Sequence, residues 1–515
     1  MTKSLLIHSD NTPLSIQNFF SNDNIINFND KEANYFNLDE YISNIILPKI
    51  KAKKPNIIFI KDNLSSNYLE LYGLRLAYHI RFDEKLKLLP IVILSDLDGF
   101  TLNRFEPMAR ILFTKNVFLE ANNKATLEKY NQKNIQPLTP TEYQNKFLNL
   151  IEVEPPENSS NHSIANEWAI DRWGEFLKID SEAVKKNRDK ISSLLYFKYL
   201  RALNPLTKDR SLGVPKPKLS GKVLYIDDEW DKGWKDIFEK YFTVNIEFKT
   251  FEKNFKESNI YSLQTEIKDY IIDNSPDLVI LDLRLIEKDH SREEIENFTG
   301  IKVREIIKEI NPAIQVIMFT ATSKSRILEE LYAHKILGYI KKEDPQERNI
   351  KTKENFAKLA ELVDLGLSKK WLKEVWDIQE EVLKLMLFDG ISIEIKSVFE
   401  ILDSDMKNKF IYAMFAIFKV IEIINNHYFI DGYKKATWRD TQEEISDNSS
   451  KNKILLIVDK RLKIGSNTIY QNIEDISRIR NNTIHPKHVK IDIINKNHIL
   501  TWFKMLQTIL EKIAK

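Results

Sequence analysis

A chain of 515 residues is too long for one hydrophobic core, so roughly three or four domains are expected. Its 43% hydrophobic and 30% charged residues are those of a globular protein, and a net charge of +2 gives no global electrostatic case for nucleic-acid binding; any basic patch must be local. The lack of cysteine excludes disulfides, cysteine zinc sites and thiol chemistry, and suits a reducing, cytoplasmic setting. The opening MTKSLLIHSDN has no apolar signal core, and no run of about eighteen apolar residues predicts a membrane span.

Residues 1–150 alternate short apolar runs with helical patterns. SLLIHSD, NIIFIKD, LPIVILSD and NVFLE read as buried strands, and the alternation predicts a parallel sheet covered by helices. Residues 151–204 form a helical spacer, with ANEWAIDRWGEFLKI and RDKISSLLYFKYLRAL each read as one helix, and 205–220 read as a linker rich in Pro, Gly, Ser and Lys. Over 221–365 the strand rhythm returns in KVLYIDD, DLVILDL, AIQVIMFTA and LGYIK. Beyond it the pattern is helical through 366–515. MKNKFIYAMFAIFKVIEII places Phe410, Met414, Phe418 and Ile421 on one face, and the polar stretch 427–470 suggests no assignment.

In the second α/β segment, polar residues gather at the ends of apolar strands: Asp227 and Asp228, Asp282, Thr320 and Lys342. In a parallel doubly wound sheet, the carboxyl ends of the strands line one crevice, so these residues are expected to converge. Three crowded carboxylates repel one another and need a cation, and an all-oxygen site suits Mg²⁺. A hydroxyl and an ammonium beside them suit a phosphoryl group on Asp282.

The segment resembles the receiver domain of response regulators. YIDDE matches the family's acidic pair, LVILDL its phosphoacceptor strand and FTA its hydroxyl step, while GYIKK puts Tyr339 at the aromatic switch and Lys342 at the lysine. The resemblance implies a five-stranded flavodoxin-like fold in the order 2-1-3-4-5, and Mg²⁺-dependent phosphoryl transfer to Asp282 from a histidine kinase or phosphotransfer protein. Two features depart from the pattern. Glu343 follows Lys342 where the family has proline, and the stretch LRLIEKDHSREEIENFTG is longer than usual, so it is expected to shield the phosphoryl group or dock a partner. The first segment has the same rhythm, with Gly73 after Asp62 as Gly300 follows Asp282. HSD replaces its acidic pair, Ser95 stands at the hydroxyl position, and no lysine follows NVFLEAN. A pseudo-receiver that does not accept phosphate is expected there.

Near the C-terminus, RIRNNTIHP carries a second set of reactive groups. Ile473, Ile476 and Ile479 predict a helix with a buried stripe, on which Asn481 and His485 share a face and Arg480 lies one step round. Pro486 places His485 where the helix ends. Histidine can transfer protons, arginine can clamp phosphate, and asparagine can orient either, which suffices for RNA cleavage by a 2′-hydroxyl without a metal. Arg480, Asn481 and His485 fit the R-N-x-x-x-H signature, and the segment resembles the HEPN superfamily. That resemblance implies a helical bundle whose homodimer assembles a composite ribonuclease site. Glu474 and Asp475 either orient the motif or form a solvated face, and His488 is expected to be peripheral. The order predicts a phosphorylation-controlled regulator that cleaves RNA in phage defence or stress. The alternative is a non-catalytic signalling adaptor whose bundle serves dimerisation or partner binding.

Overall fold

The computed structural model describes residues 3–10, 12–67, 69–157, 159–205, 213–242, 245–255, 260–292, 294–321, 329–331, 334–345, 352–385, 388–484 and 494–515. Two parallel five-stranded sheets follow one another along the chain. Ser4–His8 (β1), Ile25–Asn27 (β2), Ile57–Lys61 (β3), Ile91–Ser95 (β4) and Val117–Ala121 (β5) form the first, in the order β2-β1-β3-β4-β5. Gly221–Ile226 (β6), Ile246–Thr250 (β7), Leu278–Asp282 (β8), Gln315–Thr320 (β9) and Gly338–Lys341 (β10) form the second, in the order β7-β6-β8-β9-β10. Both are doubly wound in the flavodoxin-like way, as the strand rhythm predicts.

Helices cover both faces of each sheet, so the inner strands carry uninterrupted apolar runs. In the second sheet Val223, Ile280, Ile317 and Phe319 face helices Trp234–Tyr241 and Thr352–Ser368. Leu224, Val279, Val316 and Met318 face helices Ile260–Asn274 and Thr299–Ile310.

The segment between the sheets belongs to both cores. On helix Asn161–Leu177, Ile164 and Trp168 join the core of the first body, while Ala169, Ile170 and Trp173 join that of the second. RDKISSLLYFKYLRAL is not one helix. Glu182–Ser193 ends at Leu194, whose backbone is extended (φ −72°, ψ 130°), and Leu195–Leu203 begins anew. The break has a tertiary cause: the Leu195 N–H donates to the buried Asp39 carboxylate at 2.8 Å. Arg75 and His79 also donate to Asp39, and burial pushes His79 down to about 4, so its ring is neutral.

Helices Trp371–Leu383, Ile391–Asp403, Lys409–Tyr428, Asn467–Ile484 and Lys496–Ile513 share a third core. Lys409–Tyr428 is long and apolar enough to cross a membrane, yet half of it is buried here, with Met414, Ile417, Ile421 and Ile424 inside the bundle. Phe418 is buried with them, whereas Phe410 is only partly covered. The unassigned polar stretch contains a small antiparallel sheet of Phe429–Asp431 (β11), Ala436–Trp438 (β12) and Glu444–Ile445 (β13). The bundle docks on the end of the second sheet away from its carboxyl ends. Lys373 Nζ lies 3.0 Å from Asp277 Oδ1, and Asn311 Nδ2 donates to Asp377 Oδ1 at 3.2 Å.

Candidate functional site

Strands β6, β8, β9 and β10 bring the sequence-derived residues of the second sheet into one buried pocket. Asp227, Asp282 and Lys342 are at most 1% exposed, and Thr320 is 3% exposed. The strand register sets the spacing, and Lys342 N donates to Thr320 O at 2.8 Å. Asp227 Oδ2 accepts from the Tyr225 hydroxyl at 2.6 Å and from Lys342 Nζ at 3.0 Å, while Oδ1 accepts from Glu229 N at 2.7 Å. Lys342 Nζ lies 3.9 Å from Asp282 Oδ2, with the rings of Trp234 and Phe319 centred 5.5 and 5.2 Å away.

The acids outnumber their partners. Asp282 Oδ1 accepts from Leu283 N at 2.8 Å, but Asp282 Oδ2, Asp228 Oδ1 and Glu229 Oε2 are buried with no hydrogen-bond partner among the described residues. Burial, reinforced by Asp227 and Glu229, pushes the Asp228 carboxyl up to about 7. Burial pushes Asp282 well above the usual carboxylate range; Lys342 opposes this, and Asp227 and Asp228 add to it. Burial alone would lower the Lys342 ammonium, but Asp227, Asp282 and Glu229 more than offset that and keep it charged. Ligand atoms of Asp227, Asp228 and Asp282 all lie within 4.8 Å of one another. Three clustered carboxylates, two of them buried, with Asp228 Oδ1 and Asp282 Oδ2 unsatisfied and one ammonium beside them, fit a divalent cation of the hard, oxygen-seeking kind.

The long loop after Asp282 folds around its own buried carboxylate. Asp289 accepts from Leu285 N at 3.1 Å, Thr299 N at 3.2 Å, Thr299 Oγ1 at 3.1 Å and Arg292 Nη1 at 2.5 Å. Its first residues, with Trp230, Lys253 and His162, line a cavity of about 1050 Å³ that reaches Asp228. Tyr339 is half-buried, with Lys358 Nζ 4.3 Å from its ring centre.

The same position in the first sheet is chemically closed. Asp62 is buried, and Lys61 Nζ sits 2.9 Å from its Oδ1. Ser95 Oγ donates to Asp62 Oδ2 at 2.5 Å, and Asn63 N donates to Oδ1 at 2.7 Å. His8 and Ser9 are buried at the end of β1, while Asp10 turns outward to Asn27. A lysine thus supplies the positive charge next to Asp62, where Asp282 has Leu281 as its chain neighbour. The paired glycines are explained by close approach: a Cβ on Gly73 would lie 2.1 Å from Lys61 O, and one on Gly300 would lie 2.3 Å from Asp282 O.

Helix Asn467–Ile484 buries Ile473, Ile476 and Ile479 as its periodicity predicts. Arg480 is half-buried rather than reaching outward: Nη2 lies 3.6 Å from Glu422 Oε1, Nη1 donates to Asn481 Oδ1 at 3.1 Å, and the guanidinium sits 5.0 Å from the Phe418 ring centre. Asn481 is exposed, and Asp475 is held by Arg478 at 2.6 Å. His485, Pro486 and His488 lie outside the described residues. Sequence reasoning missed Tyr225, Glu229, Trp234 and Glu422. The acid after YIDD was the one visible sign, since Glu229 adjoins the pair.

Residues 10–120 match the family model described as the inactive receiver domain. No curated protein is detectably similar to the chain. Among solved structures, a two-component response regulator of the LuxR family from Aurantimonas sp. is similar at 17% identity over 29% of this chain and 86% of its own, with a TM-score of 0.20. NtrX from Brucella abortus is similar at 17% identity over 35% of this chain and 34% of its own, with a TM-score of 0.21. The chain therefore spans about a third of NtrX.

Proposed function

We propose that this chain is a phosphorylation-controlled regulator in which Asp282 accepts a phosphoryl group and the C-terminal region acts on RNA. In this reading residues 1–150 are an inactive receiver, 151–204 join it to the active receiver at 221–365, and 366–515 are a HEPN-type effector. The observation that carries the reading is the buried Asp282 Oδ2, without a hydrogen-bond partner among the described residues, 3.9 Å from Lys342 Nζ and crowded by Asp227 and Asp228.

The phosphodonor is a histidine kinase or phosphotransfer protein. An Asp282 carboxylate oxygen attacks phosphorus, the bond to the donor imidazole nitrogen breaks, and an acyl phosphate forms on Asp282. Lys342 and the Thr320 hydroxyl balance and bind the phosphoryl oxygens. Asp227, Asp228 and Asp282 would hold Mg²⁺, which supplies charge neutralisation for the phosphoryl group when bound.

The RNA-cleaving half rests on the spacing of Arg480, Asn481 and His485. A histidine takes the 2′-hydroxyl proton, the 2′-oxygen attacks phosphorus, and the bond to the 5′-oxygen breaks with protonation of that oxygen, leaving a 2′,3′-cyclic phosphate. One motif has one imidazole, whereas a homodimer brings an acid and a base together with two arginines, and no metal is needed. One observation favours the non-catalytic adaptor instead: Arg480 is already engaged by Glu422 and Phe418, as a structural residue would be. Purified full-length chain incubated with total RNA, before and after a small phosphodonor and Mg²⁺, separates the two. Cleavage lost in His485→Ala supports the nuclease; cleavage absent in all states, or retained in that variant, leaves the adaptor.

A further inference from the structure

The residue that departs from the receiver pattern, Glu343, is bound by a helix that precedes the second sheet. Its carboxylate is only 3% exposed although it directly follows Lys342. Oε1 accepts from the Trp173 indole N–H at 3.1 Å, and Oε2 lies 3.7 Å from Arg172 Nε. Both partners belong to helix Asn161–Leu177.

That helix also braces the rings on which the lysine rests. Trp173 meets Trp234 at 5.5 Å and Phe319 at 5.7 Å between ring centres, and these are the two rings beneath the Lys342 ammonium. Trp234 is fixed from the same helix, since its indole N–H donates to the buried Asn166 Oδ1 at 2.7 Å. Beside the bonds of Lys342 to Asp227 and to Thr320 O, one element thus braces both its backbone, through its neighbour Glu343, and its ammonium, through Trp234 and Phe319. Helix Asn161–Leu177 is in turn anchored in the first body by Ile164 and Trp168 and fastened to helix Leu195–Leu203 by Arg201 and Asp171 at 2.8 Å.

We propose that Trp173 and Glu343 are positioning residues for Lys342, so that binding of a phosphoryl group at Asp282 depends on a helix shared with the inactive first body. The inference rests on the reading of Asp282 as phosphoacceptor. Trp173 and Glu343 touch none of the three carboxylates proposed to hold the cation; they act on the lysine that meets the phosphoryl group. Removing the contact therefore weakens phosphoryl binding and spares cation binding.

The test uses the full chain and beryllofluoride as phosphoryl mimic, with its affinity read by fluorine NMR in saturating Mg²⁺ and the Mg²⁺ affinity read separately by calorimetry. Trp173→Phe keeps an aromatic ring and loses the N–H; Glu343→Ala loses the acceptor; Glu343→Gln keeps an acceptor for Trp173. The first two should bind beryllofluoride about tenfold more weakly, with Mg²⁺ affinity within about twofold of wild type, and Glu343→Gln should recover most of the loss. Wild-type beryllofluoride affinity in both Trp173→Phe and Glu343→Ala would overturn the inference while leaving the phosphoacceptor reading intact. A parallel loss of Mg²⁺ affinity would assign the contact to folding and overturn it too. If Trp173→Phe unfolds, Glu343→Ala against Glu343→Gln decides alone. No binding by wild type would remove the phosphoacceptor reading and this inference together.

Discussion

Replacing Glu343 with glutamine should change how stability depends on pH, by an amount the structure sets. Burial is the main cause that pushes this carboxyl from 4.5 up to about 7, with Arg172 opposing it. The folded value lies above the unfolded one, so the group's contribution to stability is fully present below about 4.5 and is lost as pH rises through about 7. The whole span corresponds to roughly 3 kcal/mol, and the interval from pH 5 to pH 8 to roughly 2.5 kcal/mol. Asp228 and Asp282 titrate with the same sign but are present in both proteins, so they cancel in the difference. Arg172 adds no separate offset, because it gains a counterion only as Glu343 ionises and that attraction already enters the folded value. Thermal unfolding of both proteins from pH 5 to pH 8 should show the mutant gaining on wild type as pH rises, with the midpoint difference moving on the order of 5 °C. A difference that stays flat would refute the account of Glu343 as a buried carboxyl ionising near neutrality.

Lys61→Leu should destabilise the first body by about 3 kcal/mol, because it strands the buried Asp62 charge, and adding Asp62→Asn should restore most of the loss in a double-mutant cycle of unfolding. Gly300→Ala should cost at least about 3 kcal/mol and weaken Mg²⁺-dependent beryllofluoride binding, since its Cβ would meet Asp282 O at 2.3 Å; a mutant that unfolds and binds like wild type would disprove the close approach. Excess His485→Ala subunits mixed with wild type should depress any RNA cleavage per wild-type subunit if two motifs form one site, and unaltered cleavage would indicate independent sites.

The inner strands were legible because each is a short, fully buried apolar run. Two of the four edge strands of the parallel sheets, β2 and β7, were not. β2 has only three residues, and β7, Ile246–Thr250, alternates buried and exposed positions with charged residues between. The break at Leu194 has no local signal, because Ser-Leu-Leu carries no helix breaker and the competing bond comes from Asp39, remote in sequence. The acid pocket was readable from strand ends alone, since topology brings those ends together. The inertness expected of the first sheet was read from what is absent, the acidic pair, whereas Lys61 next to Asp62 offers a positive reason for it that the sequence also displays. The partners of Glu343 could not be read, because Trp173 lies 170 positions away on a helix assigned only as a spacer.

The central claim is that Asp282 is the phosphoacceptor and that its chemistry needs a divalent cation. Intact-protein and peptide mass spectrometry after treatment with a small phosphodonor tests it most directly, with wild type, Asp282→Asn and Asp62→Asn compared with and without Mg²⁺. One phosphoryl group should appear on wild type and on Asp62→Asn only with Mg²⁺, located at Asp282, and none on Asp282→Asn. Equal labelling of Asp282→Asn, or a phosphoryl group found at Asp62, would contradict the account.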